Sequence, residues 1–282
     1  MTLILVLHPG AMGSSVAAAL ATNHEVAYCS AERSEATFER AAKLGLREFY
    51  TLDRAVGAAE VLISICPPAA AVDVALQAGA HGFDGVYVDA NAIAAATAHD
   101  VQAAVPAASF VDGGIVGPPG WTTGTTRLYL SGESTQTVVA LFGGTPIEAI
   151  TVGEEVGQAS ALKMAYAGWT KGSSALLLAI AAYAKHAGVA DALMAEWGRS
   201  LPGLEERLYQ TAVGTSPKAW RFVGEMDEIA KSLAAAGLPS SFHEAAAAVY
   251  AKMAERPLVL GGPADEVDDH VFCRAAIEQL LS

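Results

Sequence analysis

The first half of the sequence alternates short apolar runs with alanine-rich segments of helical length. The runs LILVL and VLISI have almost no polar face, which is typical of parallel strands that helices cover on both sides. Strands that alternate with helices predict βαβ units and a parallel sheet. The expected strands are 2–8, 25–30, 60–66, 85–89, 109–112 and 127–130, and the expected helices are 11–22, 34–44, 69–78 and 93–105. A further helix and strand are expected to end this domain near residue 151.

The remainder of the sequence is predicted to be helical. Residues 157–186 contain no proline and are expected to form one helix of roughly 45 Å at 1.5 Å per residue. Shorter helices are expected at 190–200, 203–211, 217–236, 242–254 and 272–281. The sequence therefore predicts an α/β fold with an N-terminal Rossmann domain, a doubly wound parallel sheet, at residues 1–155. A long interdomain helix then leads into an all-helical domain for substrate binding and dimerisation at residues 156–282.

The segment LHPGAMG follows the first expected strand and opens the first expected helix. Against the dinucleotide-binding pattern G-x-G-x-x-G, its three pattern positions are His8, Gly10 and Gly13. Gly10 permits a pyrophosphate to approach the backbone, Gly13 permits close helix packing, and the helix N-terminus offers free N–H groups. The alternative is an ordinary strand-to-helix turn. The expected phosphate-binding residues are His8, Pro9, Gly10, Ala11, Met12 and Gly13.

The segment after the second expected strand bears on the choice between NADP and NAD. An acidic residue here would bind the ribose diol of NAD, whereas arginine and serine would bind the 2′-phosphate of NADP. Arg33, with Ser30 or Ser34, favours NADP. Glu32 argues for NAD, and Ser34 is also a candidate helix N-cap. NADP is therefore the expected cofactor and NAD the less favoured one.

Together with the turn, three later segments resemble the β-hydroxyacid dehydrogenase superfamily, which includes 6-phosphogluconate dehydrogenase, 3-hydroxyisobutyrate dehydrogenase and the imine reductases. These segments are VLISICPP, the pair YVDANAI and FVDGGIVGPP, and GQASALKMAY. The resemblance extends over essentially the whole chain. It is greatest to a poorly characterised branch with a C-terminal helical domain of unknown function.

The resemblance implies roles for particular positions. Cys66, Pro67 and Pro68 would pass beside the cofactor, Val72 would lie near its adenosine, and Asn91 near its nicotinamide. The substrate-binding pattern D-A-P-V-S-G-G resembles residues 112–118, and the catalytic lysine segment resembles residues 157–163. The expected substrate-binding residues in the first of these segments are Gly113, Gly114, Ile115, Val116 and Gly117.

The chain departs from the family pattern at two places. Val116 stands where the usual serine helps to bind a substrate carboxylate or hydroxyl. Tyr166 and Ala167 stand where paired asparagines follow the lysine. The resemblance therefore implies the reaction class and leaves the substrate open.

Hydride transfer to a carbonyl requires a proton donor beside the developing alkoxide, and the reverse reaction requires the same group as base. Lys163 is the expected catalytic residue because its sequence neighbours are apolar, and burial would lower its pKa towards about 7–8. Tyr166 and Thr170 share its helical face and are expected to contact substrate. Tyr166 could also donate a second hydrogen bond to the reacting group. Asn91 is a further catalytic candidate, with a helix N-cap as its alternative role.

Composition and charge exclude several classes of partner. The 17 basic and 30 acidic residues give a net charge of −13, which disfavours nucleic acid and anionic membranes. The three dispersed cysteines show no metal-ligand spacing and fit a reducing compartment. No apolar run is long enough for a signal peptide or membrane span. A cytoplasmic protein without a metal is therefore expected, and the long helix, with the resemblance, predicts a homodimer.

The sequence thus predicts an NADP(H)-dependent oxidoreductase that transfers a hydride between nicotinamide and a small carbonyl or hydroxy substrate. One alternative is an NADPH-dependent imine reductase, which shares the fold. The other is a non-catalytic protein that binds or senses NADP(H).

Overall fold

The computed structural model describes residues 2–256, 258 and 269–281. It divides into two compact units, Met1–Met164 and Ala165–Ser282. The boundary falls inside one long helix, which begins in the first unit and continues in the second.

The first unit is built on an eight-stranded sheet in the order β3-β2-β1-β4-β5-β6-β7-β8. The first six positions reproduce the Rossmann order 3-2-1-4-5-6, so the predicted fold class is confirmed. The strands are β1 (Leu3–Val6), β2 (Glu25–Cys29), β3 (Arg47–Phe49), β4 (Val61–Ser64), β5 (Val86–Asp89), β6 (Ser109–Val116), β7 (Thr126–Ser131) and β8 (Ile147–Gly153).

Helices cover both faces of this sheet. Side chains alternate along β1, so Ile4 and Val6 belong to one core cluster whereas Leu3 and Leu5 belong to the other. This burial on both faces is the reason that the strands read as continuous apolar runs. The helices are α1 (Ala11–Leu20), α2 (Glu35–Lys43), α3 (Leu52–Ala58), α4 (Ala71–Ala80), α5 (Ala95–Ala104) and α6 (Thr135–Leu141).

The sheet departs from the expected all-parallel arrangement at one ladder. β6 pairs with β5 in parallel but with β7 antiparallel, and Gly114 lies opposite Tyr129. The connection between these strands, residues 117–125, is too short to contain the crossover that a parallel pair requires. β6 also extends to Val116, four residues beyond its expected end, because its glycines lie within the ladder.

The second unit is helical. A short 3₁₀ turn precedes α10, and the helices are α7 (Gln158–His186), α8 (Ala190–Ser200), α9 (Leu204–Thr215), α10 (Ala219–Ala235), α11 (Ser241–Ala254) and α12 (Asp269–Leu281). Inside this unit Lys171 of α7 forms a largely buried ion pair with Glu225 of α10. No helix in the described part of the chain is long and apolar enough to cross a membrane.

Candidate active site

The expected phosphate-binding turn connects β1 to α1 and is held by two backbone hydrogen bonds. The Gly10 N–H donates to the His8 carbonyl at 2.7 Å, and the Ser14 N–H donates to the Gly10 carbonyl at 2.8 Å. A Cβ atom on Gly13 would lie 2.2 Å from the His8 carbonyl oxygen, so only glycine fits there. A Cβ atom on Gly10 would meet no heavy atom within 4 Å. The turn is therefore tightly packed at Gly13 and open at Gly10, at the N-terminus of a ten-residue helix.

The side chain of His8 adds a polar group to this turn. Its Nδ1 atom is buried and has no hydrogen-bond partner among the described residues. Burial, with a smaller effect of the Arg33 guanidinium, lowers the pKa of His8 to about 4. The imidazole is therefore neutral at neutral pH, with one N–H donor and one acceptor nitrogen.

The loop between β2 and α2 contains the expected residues for cofactor choice. Arg33 Nε donates to the Ala31 carbonyl at 2.9 Å, and Ser30 N–H donates to the Phe49 carbonyl at 2.9 Å. Ser34 is the N-cap residue of α2, and its hydroxyl lies 3.1 Å from Thr37 Oγ1. Between them, Glu32 has a φ of 58° and is exposed. The loop thus holds one guanidinium and two hydroxyls next to the phosphate-binding turn.

A second arginine, which the sequence pattern did not single out, reaches the same turn. Arg40 of α2 donates from Nε to the Pro9 carbonyl at 3.2 Å and from Nη2 to Thr37 Oγ1 at 3.1 Å. Within the described residues, neither Arg33 nor Arg40 forms an ion pair with a carboxylate.

Asn91 joins the ends of β4 and β5. Its Oδ1 accepts from the Cys66 N–H at 2.6 Å, and its Nδ2 donates to Asp89 Oδ2 at 2.7 Å and to Ser64 Oγ at 3.2 Å. These bonds occupy both ends of the Asn91 amide and fix the backbone at the start of the Cys66 loop. Pro67 is the N-cap residue of the short 3₁₀ turn that follows.

The other expected cofactor-binding residues of this loop are Pro68, Val72 and Cys66. Pro68 is the first residue of the 3₁₀ turn, and Val72 is partly buried in the first turn of α4. Cys66 is half-buried, and burial raises the pKa of its thiol to about 12. The thiol is therefore protonated at neutral pH.

Two buried carboxyl groups lie side by side beneath these loops. Asp89 of β5 and Asp112 of β6 are partners in the parallel ladder, and both are fully buried. Burial, with a smaller contribution from the negative charge of Asp112, raises the pKa of Asp89 to about 7. This pair was not predicted to be functional, although both residues stand at the ends of apolar strand segments.

Asp112 connects β6 to the beginning of α7. Its Oδ2 accepts from the Gly157 and Ser160 N–H groups at 2.9 Å each and from Ser131 Oγ at 3.0 Å. Its Oδ1 accepts from Ser160 Oγ at 2.6 Å. A carboxylate at a helix N-terminus satisfies orphan donors and is stabilised by the helix dipole. Asp112 therefore fixes the position of the first turn of α7.

Lys163 lies one turn further along α7 and is half-buried. Its Nζ donates to the Ile115 carbonyl of β6 at 2.8 Å. A Cβ atom on Gly114 would lie 2.9 Å from Lys163 Cβ and 3.0 Å from the Ala159 carbonyl oxygen. The glycine at position 114 thus permits the close approach of α7 that brings the lysine amine to the strand.

The remaining expected substrate residues lie in different settings. A Cβ atom on Gly113 would lie 2.7 Å from the Asp89 carbonyl oxygen, so this glycine serves strand packing, as Gly114 serves helix packing. Val116 is buried, and Gly117 is exposed with a φ of 122°. Tyr166 and Thr170 lie on the part of α7 that belongs to the second unit, where the Tyr166 side chain is 48% exposed.

The described residues hold no group of three or more His, Cys, Asp or Glu side chains arranged for a metal ion. The candidate site instead has two parts. One is the glycine turn at the end of β1, with two guanidinium groups nearby, and the other is the Lys163 amine, which donates to a carbonyl of β6. Such an arrangement is suited to binding a phosphorylated nucleotide and to transferring a proton.

Comparison with protein families matches residues 184–253, in the helical unit, to the domain of unknown function DUF1932. An uncharacterized 28.5 kDa protein of Methanothermus fervidus, from the 7S RNA 5′ region, is 33% identical over 171 residues. This match covers 60% of the chain and 66% of the archaeal protein, slightly less than two thirds of its length.

Solved structures match almost the whole chain. A conserved hypothetical protein from Sinorhizobium meliloti is 25% identical with a TM-score of 0.70, covering 99% of this chain and 97% of that one. The 3-hydroxyisobutyrate dehydrogenase of Mycobacterium tuberculosis, solved with L-serine, is 19% identical with a TM-score of 0.69 and full coverage of both chains. The reductive aminase of Aspergillus terreus, solved with NADPH and ethyl levulinate, is 19% identical with a TM-score of 0.56, covering 91% of this chain and 95% of that one.

At such identities the last two likenesses establish the fold and leave the reaction open. The sheet order, the helical unit and the family match agree with the resemblance seen in the sequence segments. The chain therefore has the same fold as the 3-hydroxyisobutyrate dehydrogenase and the reductive aminase, and its helical unit contains a segment that matches DUF1932.

Proposed function

We propose that the protein is an NADP(H)-dependent oxidoreductase that transfers a hydride between nicotinamide and a small carbonyl or hydroxy substrate. The observation that carries this proposal is the turn from His8 to Gly13, which is closely packed at Gly13 and has open space at Gly10. Solved relatives of the same fold are a dehydrogenase and an NADPH-bound reductase, which supports the reaction class.

The residues present fit a dinucleotide. The open space at Gly10 leaves room for a pyrophosphate against the N–H groups of the first turn of α1. The buried Nδ1 of His8, without a partner among the described residues, is a polar atom that a ligand would satisfy. His8, Gly10 and Gly13 would therefore hold the phosphates, and the segment from Cys66 to Val72 would border the cofactor.

The preference for NADP over NAD rests on local charge. In a chain of net charge −13, anion binding depends on placed cations. Arg33 supplies such a cation, and Ser30 and Ser34 supply hydroxyl donors, at the position where a 2′-phosphate is recognised in this fold. Glu32 is exposed and turned into the left-handed region, where it does not neutralise Arg33 by an ion pair.

A bound nicotinamide would supply or accept the hydride. Lys163 would supply the proton to the substrate oxygen in reduction and accept it in oxidation. The Ile115 carbonyl holds Nζ at 2.8 Å and so restricts the direction of the amine. Tyr166 and Thr170 would contact the substrate.

Two buried side chains, Asp112 and Asn91, would fix the positions of the lysine helix and of the cofactor-facing loop. Asp112 holds the first turn of α7 on β6, and therefore fixes the helix that carries Lys163. Asn91 holds the backbone of Cys66 and so positions the cofactor-facing loop. Asn91 would thus act as a positioning residue, since its amide is already bonded to Cys66, Asp89 and Ser64.

The test is to replace Lys163 by methionine and by arginine and to assay oxidation of NADPH with a panel of aldehydes, ketones and imines. Both variants should bind NADPH as the wild type does and lose at least about 100-fold in kcat, because neither side chain exchanges a proton at neutral pH. Turnover by Lys163→Met within a few-fold of wild type would contradict the proposal. A wild type that binds NADPH and reduces no member of the panel would favour a binding or sensing protein.

Imine reduction is the second candidate. Val116 is buried and carries no hydroxyl, and Tyr166 and Ala167 replace the asparagines, so this chain lacks the family groups that bind a hydroxyacid carboxylate. Reduction of a cyclic imine with little reduction of any carbonyl compound would select this reaction.

We also propose that the protein is a homodimer that pairs through α7. Five exposed apolar side chains recur at heptad-like spacing along this helix, each 40–71% exposed. Such a stripe on a 29-residue helix is the pattern of a helix-pairing surface. They are Tyr166, Trp169, Leu176, Ile180 and Tyr183.

A cytoplasmic location is part of the proposal. All three cysteines are free thiols, which fits a reducing compartment.

A further inference from the structure

We propose that the imidazole of His8 is a direct hydrogen-bond donor to a phosphate group of the bound dinucleotide and acts beside Arg33. This inference rests on the proposed function, since it assigns a ligand contact within the same nucleotide site. It concerns the position where the fingerprint has its first glycine, which has no side chain to make such a contact.

The first support is the unsatisfied nitrogen. Buried side-chain nitrogens nearly always have a hydrogen-bond partner, and an exception calls for a ligand or an ion. The Nδ1 of His8 is buried without a partner among the described residues, at the end of β1 and two residues before the open Gly10. A ligand group that enters at Gly10 would arrive next to this nitrogen.

The second support is the sign of the surrounding charge. Arg33 lies near enough to depress the pKa of His8, together with burial, to about 4. Arg40 donates to the Pro9 carbonyl, so a second guanidinium contacts the adjacent residue of the turn. Neither arginine has a carboxylate partner among the described residues. Two uncompensated cations around a neutral donor favour an anion of high charge density, such as a phosphate.

Hydrogen bonds within the turn and from α2 restrain the backbone at His8 and Pro9. The His8 carbonyl accepts from the Gly10 N–H at 2.7 Å, and the glycine at position 13 packs against that same carbonyl. The Arg40 bond fixes Pro9 from the side of α2. The backbone of His8 is therefore restrained by α1 and α2, which lowers the ordering cost of a contact between its side chain and a ligand.

The experiment compares His8→Leu with His8→Asn, two side chains of nearly the same shape. The asparagine amide places a donor close to the position of Nδ1, and leucine places a methyl group there. Dissociation constants for NADPH and for NADH are measured by the fluorescence of the reduced nicotinamide, and melting temperatures verify folding. His8→Leu should weaken NADPH binding about tenfold or more, the effect of one hydrogen bond to a charged group, and His8→Asn should stay within about threefold of wild type.

The two nucleotides distinguish the two phosphate sources. A loss for NADPH alone assigns the 2′-phosphate, and an equal loss for NADH assigns the pyrophosphate; either result supports the inference. Unchanged affinity in a folded His8→Leu protein would overturn it, as would an asparagine variant as weak as the leucine variant. If His8→Leu fails to fold, His8→Gly, which restores the fingerprint, takes its place with the same expected loss. A wild type that binds neither nucleotide would instead remove the proposed function itself.

Discussion

Asp112 and Ser160 share two hydrogen bonds, one from the Ser160 N–H at 2.9 Å and one from its hydroxyl at 2.6 Å. Both residues are fully buried. Since Asp112 stands on β6 and Ser160 in the first turn of α7, the pair joins the strand that offers the Ile115 carbonyl to the helix that carries Lys163. The geometry of the lysine amine therefore depends on a carboxylate that contacts neither a substrate nor the lysine.

The first prediction concerns this carboxylate. Asp112→Leu removes every acceptor at this position, so the buried N–H groups of Gly157 and Ser160 lose their partner. The free energy of unfolding should fall by about 2–4 kcal/mol, measured by urea denaturation. Ser160→Ala removes only the hydroxyl bond and should cost less, about 1–2 kcal/mol. An Asp112→Leu protein that is more stable than the Ser160→Ala protein would contradict the assigned role.

The second prediction separates the two glycines of the phosphate-binding turn. Gly10 has a φ of −70°, which alanine adopts freely, and its Cβ would meet no atom within 4 Å. Gly10→Ala should therefore change stability by less than about 0.5 kcal/mol while weakening NADPH binding at least about tenfold, because the methyl group occupies the place of the phosphate.

Gly13→Ala is the matched control for that substitution. Its Cβ would lie 2.2 Å from a backbone oxygen, so the turn must shift and the protein should lose about 1–3 kcal/mol of stability. Undiminished NADPH affinity in a stable Gly10→Ala protein would show that the open space is not the phosphate site.

The third prediction is a pH dependence of stability at Asp89. Burial raises the pKa of this carboxyl to about 7, above its ordinary value of 3.8. The folded protein then retains a proton that the unfolded chain has lost, so the contribution of Asp89 to stability is fully present below about pH 4. That contribution is lost as the pH rises from about 4 to 7. His8, whose pKa is lowered to about 4, contributes in the opposite direction between about pH 4 and 6.5.

Because the two groups oppose each other, the test compares variants rather than one profile. Asp89→Asn should remove the loss of stability that Asp89 causes as the pH rises. The free energy of unfolding of this variant, relative to that of the wild type, should therefore increase from pH 4 to pH 7. Asp73→Asn, at an exposed position on α4, serves as the control and should leave the profile unchanged. Parallel profiles for wild type and Asp89→Asn would show that Asp89 titrates as an ordinary carboxyl.

The fourth prediction concerns assembly. Trp169 is 71% exposed and is the most exposed residue of the apolar stripe on α7, so a charge there should destabilise a helix pair. Trp169→Glu should convert a dimer to monomers at micromolar concentration in sedimentation velocity. Tyr50→Glu, at a 76% exposed aromatic of the first unit, should leave the dimer intact. A monomeric wild type would refute the pairing.

The sequence was informative wherever a local pattern determines the structure. The apolar runs located six of the eight strands, and a seventh was expected near residue 151 without bounds. α7 begins one residue from its expected start and ends at the expected His186. β3, the missed strand, is three residues long with two charged side chains, so it has no apolar run to reveal it. α3 was missed beside it, a helix of seven residues.

The contacts within the candidate site depend on the tertiary arrangement of distant segments. The bond from Lys163 to Ile115 spans 48 residues, and Arg40 meets Pro9 across 31. The spacing of apolar residues in a segment does not indicate which strand carbonyl a distant lysine will contact. The glycines at 113 and 114 illustrate the same limit, because the sequence does not reveal the close packing of Gly113 against β5 and of Gly114 against α7.

The most direct test of the central claim is a fluorescence titration of the wild-type protein with NADPH and, separately, with NADH. We expect saturable binding of both nucleotides. The dissociation constant should be smaller for NADPH, because Arg33 and the serines flank the position expected for a 2′-phosphate. Binding of NADPH should also weaken as salt is added, since guanidinium groups contribute. The absence of any saturable signal with either nucleotide would contradict the proposal that this protein binds a nicotinamide dinucleotide.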